Sequence, residues 1–144
     1  MRLIGVDVIP ADENVAMNLQ IRTGSKVMLF SKLYLEDEKP IAIDKRYIIY
    51  HKGKPVVEEE INYAAFPEVV AQHTGLITTR NQVTLSATLM DKDTAQILKT
   101  SQNKPALKIE QLVFGAQDQP LGWSIILCDG EKYKLNALTK TFFQ

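Results

Sequence analysis

Cysteine is nearly missing from this chain: Cys128 is the single one, so no internal disulfide framework can form. With only His51 and His73 besides, neither a Cys-based zinc site nor a structural metal cluster is expected, and no cofactor is implied. Long apolar runs are missing too. None approaches membrane-spanning length, and Met1-Arg2 leads directly into a strand pattern rather than a signal peptide, so the cytoplasm is the expected compartment. There is no excess of one charge, since 17 Lys+Arg balance 17 Asp+Glu. A protein that holds DNA by itself carries a basic stripe to neutralise phosphates. Here the densest basic pair, Lys45-Arg46, sits beside Asp44. Catalytic signatures are also lacking: no Gly-rich phosphate loop, no Gly-x-Ser-x-Gly elbow and no His-Glu-x-x-His.

What remains is an ordinary globular composition, 45% hydrophobic and 24% charged over 144 residues, the size of one domain with a real core. Its main feature is that the pattern occurs twice. An alternating run (Leu3 to Ile9) is followed by a helical pattern (Asp12 to Ile21), a strand, a turn ending at Pro40 and another strand. The same order recurs from Val83, with a helical pattern over Asp91 to Thr100 and a turn ending at Pro120. Laying Pro40 on Pro120 aligns Val27 with Leu107, Leu29 with Ile109 and Leu33 with Val113. A one-residue slip brings Ala16 and Leu19 onto Ala95 and Leu98. A strand-helix-hairpin unit used twice predicts a pseudo-twofold domain rather than a solenoid, which needs three or more copies.

Local rules predict the elements. Asp12 caps a helix with Val15, Ala16 and Leu19 buried, and Gly24 is expected to end it. Val27–Leu35 and Ile41–Tyr50 form a hairpin. Val56–Ile61 reads as a short acidic helical turn, and Phe66–His73 as a helix with Pro67 in its first turn and Gly75 at its end. Ile77–Leu89 is a strand, Asp91 or Asp93 caps the next helix, and Leu107–Phe114 with Leu121–Leu127 form the second hairpin. Tyr133–Leu135 is a last strand. The sum is an α+β domain with a mostly antiparallel sheet of six or seven strands and helices against it. With no linker or low-complexity stretch, residues 1–144 read as one domain.

Single residues mostly have plain explanations. His51 lies in a Lys/Gly/Pro loop and reads as solvated, while His73 is placed to interact with a helix C-terminus. Cys128 reads as a small core residue, Glu58-Glu59-Glu60 as a solvated face, and Trp123 and Phe142-Phe143 as core. One pattern stands apart. Lys32, Tyr34 and Asp44 share a face of the first hairpin because strand side chains alternate. The matching positions of the second hairpin hold Leu112, Phe114 and Ser124. The ionisable set is either a cross-strand contact worth a few tenths of a kcal/mol to about one, or the polar part of a pocket covered by the Tyr63–Thr74 segment.

The run Lys32-Leu-Tyr-Leu-Glu-Asp-Glu-Lys-Pro40-Ile-Ala-Ile-Asp44-Lys-Arg-Tyr47 resembles the signature of the effector-binding (UTRA) domain of GntR-type transcriptional regulators, HutC subfamily: Arg-x-Arg-x-x-Asp-Gly-x-Pro-x-Ala-x-Glu before a Tyr-containing strand. Ala95 to Leu98, Leu107 to Phe114, Gln119-Pro120 and Asp129-Gly130-Glu131-Lys132-Tyr133 continue it. The last run is similar to the family's Arg-Gly-Asp-x-Tyr ending.

The resemblance implies a chorismate-lyase-like fold, a homodimer, and a small-molecule effector that controls an attached winged-helix DNA-binding domain, a domain not found in these residues. DNA would be met only through that domain, and the membrane not at all. By position, Lys32 and Tyr34 stand where the family often has arginines, Asp44 on its ligand-contacting glutamate and Tyr133 on its closing tyrosine. Ala65 and Pro67 replace the Ser-x-Tyr of a helix start, and Asp129 stands near the missing arginine. Tyr63 and Arg80 are candidates for additional polar contacts. These departures point away from a doubly charged sugar phosphate, because a lone Lys lacks the bidentate grip of Arg. They suggest a sugar, an amino acid derivative or another carboxylate. The expectation is a non-enzymatic sensor. The alternatives are a chorismate-lyase-like enzyme, which would need an Arg and Glu pair in the pocket, and a ligand-free dimerisation module.

Overall fold

Residues 1–52 and 64–140 are described in the computed structural model. The expected acidic turn over Val56–Ile61, the Glu58–Glu60 run, Tyr63 and the Phe142-Phe143 pair lie outside the described residues.

The elements follow in the order β1 (Arg2–Pro10), α1 (Glu13–Leu19), β2 (Lys26–Glu36), β3 (Lys39–Ile49), α2 (Phe66–Thr74), β4 (Arg80–Leu89), α3 (Lys92–Leu98), β5 (Pro105–Phe114) and β6 (Pro120–Asp129). The six strands form one sheet in the order β1-β2-β3-β6-β5-β4, with every neighbour antiparallel. That order reads as the same three-strand unit placed twice, head to head. In the central β3·β6 ladder Lys45 is paired with Ile125, its own counterpart when Pro40 is laid on Pro120. The pseudo-twofold axis therefore passes between these two residues.

The repeat extends to single hydrogen bonds. Asp12 accepts from the Val15 amide at 2.8 Å and Asp91 from the Thr94 amide at 2.7 Å, each capping its helix. Gln20 and Lys99 both adopt the left-handed conformation at φ 54°. The Ala11 and Met90 amides donate across to the carbonyls of Ser25 (2.7 Å) and Lys104 (2.8 Å). Counterparts from β1 through β2 stand one residue closer in sequence than those in β3 and β6, so the slip falls in the hairpin turn and Lys32 opposite Asp44 answers to Gln111 opposite Ser124, not to Leu112 as the sequence alignment on Pro40 suggests.

Three expectations are corrected. Gln20, not Gly24, ends α1. The Ile21 amide donates to the Ala16 carbonyl at 3.0 Å, a Schellman-type closure that turns Ile21 back against the core beside Val27 and Trp123. Gly24 (φ 90°) serves the following turn instead. Strand β4 starts at Arg80 rather than Ile77, because its partner β5 ends at Phe114. No strand forms over Tyr133–Leu135. The Asp129 carbonyl accepts from the Lys132 and Tyr133 amides (3.0 and 2.9 Å) and curls the chain away, and β6 already has neighbours on both sides.

The sheet carries a core on each face. On one, α2 lays Phe66, Val69 and Val70 against Met28, Phe30, Ile48, Val113 and Leu121. The close approach depends on Gly122, where a Cβ would come within 2.6 Å of Val70 Cγ2 and 3.0 Å of Phe66 Cζ. On the other face, α1 covers Val27 and Trp123, and α3 covers Leu33, Ile43 and Ala106. Trp123 is core, stacked on Tyr47 with ring centroids 5.4 Å apart, and Cys128 is fully buried. His73 is buried at the end of α2, where its Nε2 accepts from the His51 amide at 3.2 Å. Standing in the last turn of α2, it also ties the loop after β3 to the helix.

Candidate functional site

Strand alternation puts Phe30, Lys32 and Tyr34 of β2, and Asp44, Arg46 and Ile48 of β3, on the face covered by α2. Toward Met28 and Ile48 this face is filled by the helix. Toward the β2–β3 turn it becomes polar. Lys32 and Asp44 are direct cross-strand partners, and both are fully buried. Asp44 Oδ2 accepts from Arg46 Nε at 3.0 Å and from Tyr34 Oη at 3.2 Å. Its other oxygen, Oδ1, is the buried side-chain polar atom that lacks a hydrogen-bond partner among the described residues. Buried carboxylate oxygens are ordinarily satisfied, so an orphan of this kind needs an explanation.

The surrounding groups respond to burial and to one another. Burial, and next the Arg46 charge, lower the Lys32 ammonium from 10.5 to about 8, while Asp44 opposes them. Burial raises the Tyr34 phenol to about 12, with the Asp44 charge adding to it. Asp44 itself is raised by burial, against the pull of Arg46, Tyr34 and Lys32. Burial and then Asp44 raise the Cys128 thiol to about 12, so it is a poor nucleophile near neutral pH. The half-buried Tyr133 is raised by burial, then by Cys128 and Asp44, so it lies within electrostatic reach of the same cluster.

The first turn of α2 closes one side. The Arg46 guanidinium lies 5.4 Å from the centroid of the Phe66 ring, a cation–π arrangement. Ala65 at the N-cap makes no side-chain capping bond and Pro67 follows, so no side-chain donor is offered there.

Of the residues singled out from sequence, Lys32, Tyr34 and Asp44 come together, with Tyr133 within electrostatic reach of them. Arg80 does not. It sits on the edge strand β4, over the Phe114 ring at 4.1 Å and 3.4 Å from Asp118, with three strands between it and β2. Tyr63 is outside the described residues. Arg46, Phe66 and Cys128 were not anticipated. The signal for Arg46 was available, since it stands two residues after Asp44 and must share its face. Phe66 and Cys128 carry no such signal, because only the packing of α2 and the β3·β6 register bring them in.

On the opposite face a cleft of about 560 Å³ straddles the pseudo-twofold axis between α1 and α3, with Lys45, Tyr47 and Trp123 among its lining. No orphaned buried polar atom points into it among the described residues.

Two βαββ units joined into a six-stranded antiparallel sheet, with three helices over it among the described residues, define the chorismate-lyase-like architecture of effector-binding domains. The chain belongs to the UTRA domain family of GntR-type transcriptional regulators, whose family description matches residues 1–134. The HTH-type transcriptional regulator GgaR of Escherichia coli K12 is 26% identical over 126 residues, covering 88% of this chain and 49% of that protein. The chain thus spans about half the length of that relative. In fold it is similar to a GntR-family transcriptional regulator from Enterococcus faecalis V583 (TM-score 0.78, 16% identity, 96% of this chain and 99% of that one). It is similar as well to the ligand-binding domain of a GntR-family regulator from Bordetella bronchiseptica (TM-score 0.72, 18% identity, 96% and 87%). No helix among the described residues is long and apolar enough to cross a membrane.

Proposed function

We propose that this chain is the ligand-sensing and dimerisation domain of a cytoplasmic GntR-type regulator of the HutC subfamily. It binds a small metabolite on the α2 face of its sheet and, through a homodimer, sets how attached winged-helix domains meet DNA. It does no chemistry on the metabolite. The observation that carries this reading is the buried Asp44 carboxylate with one oxygen unsatisfied, ringed by Lys32, Tyr34 and Arg46. A carboxylate kept solely for a cross-strand contact would have both oxygens satisfied or wet, since orphaning one in the interior costs about 1–3 kcal/mol or more.

Control follows from linkage. A ligand that prefers one arrangement of the dimer shifts its population by no more than its differential affinity for the two. The cluster touches β2, β3, the start of α2 and the segment after β6, so a bound molecule would bias how these pack together. A thermal-shift screen against sugars, sugar phosphates, amino acids and small carboxylates tests the reading. A ligand at a hundred times its dissociation constant stabilises the fold by about 2.7 kcal/mol, and that shift should disappear in Asp44→Ala and Arg46→Ala. A screen without hits on the folded protein, or hits that both variants leave unchanged, would refute the site.

A further inference from the structure

Resting on the homodimer reading above, we propose that the segment after β6, residues 133–140, is an exchanged arm. It adds as a strand to the outer edge of β4 in a second copy of this chain, and the second copy's arm does the same in return.

The edge comes first. Strand β4 is outermost in the sheet among the described residues. Its run Asn81-Gln82-Val83-Thr84-Leu85-Ser86-Ala87-Thr88-Leu89 contains no charge, proline or glycine, and its ladder with β5 has no register shift. A free edge is normally blunted by charges, proline or a bulge. The other edge is blunted in this way: β1 carries Arg2 and Asp7, has an irregularity between Leu3 and Gly5, and ends at Pro10. On β4, Val83, Leu85, Ala87 and Leu89 alternate onto one face and all four are exposed. It is the α2 face, since Asn81 is paired with Val113 beneath that helix. An edge with an apolar row and no blunting device is open to another strand.

The arm supplies one. Tyr133-Lys134-Leu135-Asn136-Ala137 alternates apolar and polar as a half-buried strand does. Yet residues 134–140 form no helix or strand and are all exposed, Leu135 at 52% and Leu138 at 90%. Their own sheet has no room beside β6, which has neighbours on both sides. The Lys132 and Tyr133 amides close on the Asp129 carbonyl and turn the chain away from it. Extended, residues 133–140 reach about 26 Å, enough to pair with most of β4 in a neighbour. There Tyr133, Leu135 and Ala137 would lie beside the Val83–Leu89 row as cross-strand partners. Reciprocal exchange about a twofold axis closes as a dimer. The arm begins at Tyr133, within electrostatic reach of Asp44, so the exchange joins the dimer contact to the ligand cluster.

Cysteine cross-linking of the whole chain tests this, because Cys128 is fully buried and leaves introduced thiols as the reactive ones. Leu135→Cys is co-expressed with Val83→Cys, Leu85→Cys or Ala87→Cys, one chain of each pair carrying a mass tag, and mild oxidation is read on non-reducing gels. A mixed two-chain band is expected with at least one edge position. Light scattering of Leu135→Asp should shift toward the single-chain mass, with far-UV circular dichroism like wild type because Leu135 lies outside the core. A dimeric wild type with no mixed band, edge variants that cross-link only to themselves, or a Leu135→Asp protein that stays dimeric would overturn the arm and leave the homodimer standing. A wild type that is monomeric at every concentration would overturn both.

Discussion

Lys32 is a residue whose chemistry is strongly altered by its surroundings. Its ammonium, driven from 10.5 to about 8 mainly by burial, is a buried cation kept charged at neutral pH. In the unfolded chain it holds its proton up to its ordinary value. Between about 8 and 10.5 the unfolded state therefore binds more protons than the folded one, so the Lys32 contribution makes stability rise with pH across that window. Below 8 the destabilising effect is complete and flat. Urea midpoints measured from pH 7 to 10.5 should show an upward component that is missing in Lys32→Met, and equal pH slopes for the two proteins would refute it. Affinity for an anionic ligand should run the opposite way, falling above pH 8 as the ammonium is lost. Lys32, Tyr34 and Asp44 could be read from sequence because a hairpin with a clear turn fixes which side chains share a face. The depth of burial, and hence the altered titration, could not, since it depends on how distant parts of the chain pack over the hairpin.

At the scale of elements, the most legible features are those set by neighbours in sequence. Asp12 and Asp91 cap their helices as local rules predict, and because each is the counterpart of the other, Asp12→Ala and Asp91→Ala should each cost about 1 kcal/mol, measurable by urea denaturation. The end of α1 was misread because tertiary burial of Ile21 outweighed the preference for a glycine cap. The hairpin turn between Glu36 and Lys39 holds Asp37 (φ 49°) and Glu38 (φ 64°), both left-handed. A two-residue turn of that type favours glycine at its second position, so Glu38→Gly should stabilise the fold by roughly 0.5–1 kcal/mol. The opposite outcome is expected at Gly122. A methyl there meets Val70 and Phe66, and Gly122→Ala should lift α2, destabilise by about 1–3 kcal/mol and weaken ligand binding through the displaced Phe66–Arg46 contact. A variant that melts like wild type would show that α2 has slack.

For the whole molecule, the doubled sequence pattern translates directly into a sheet that reads alike from either edge, because β-hairpins and capped helices are local units and copying the unit copies its hydrogen bonds. The two halves differ in chemistry rather than geometry: where the first carries Lys32, Tyr34 and Asp44, the ladder register puts Gln111, Val113 and Ser124 in the second, so the ionisable set is not repeated there. The edges are less equal. Both edges expose apolar side chains, β4 somewhat the more, with Val83 at 56%, Leu85 at 50% and Leu89 at 62% against Ile4 at 47%, Val6 at 44% and Val8 at 48% on β1. An edge strand presents unpaired backbone groups, and an apolar one invites pairing. The homodimer proposed above is therefore expected to use the β4 edge, a second copy covering Val83, Leu85 and Leu89 through an isologous contact. Light scattering should give twice the chain mass for the wild type and a shift toward the single-chain mass for Leu85→Lys. Because Leu85 is half exposed within one chain, the charge should cost the protomer itself little, so far-UV circular dichroism of the variant should match wild type. A wild type that stays monomeric at high concentration, or a Leu85→Lys protein that stays dimeric, would exclude this edge as the interface.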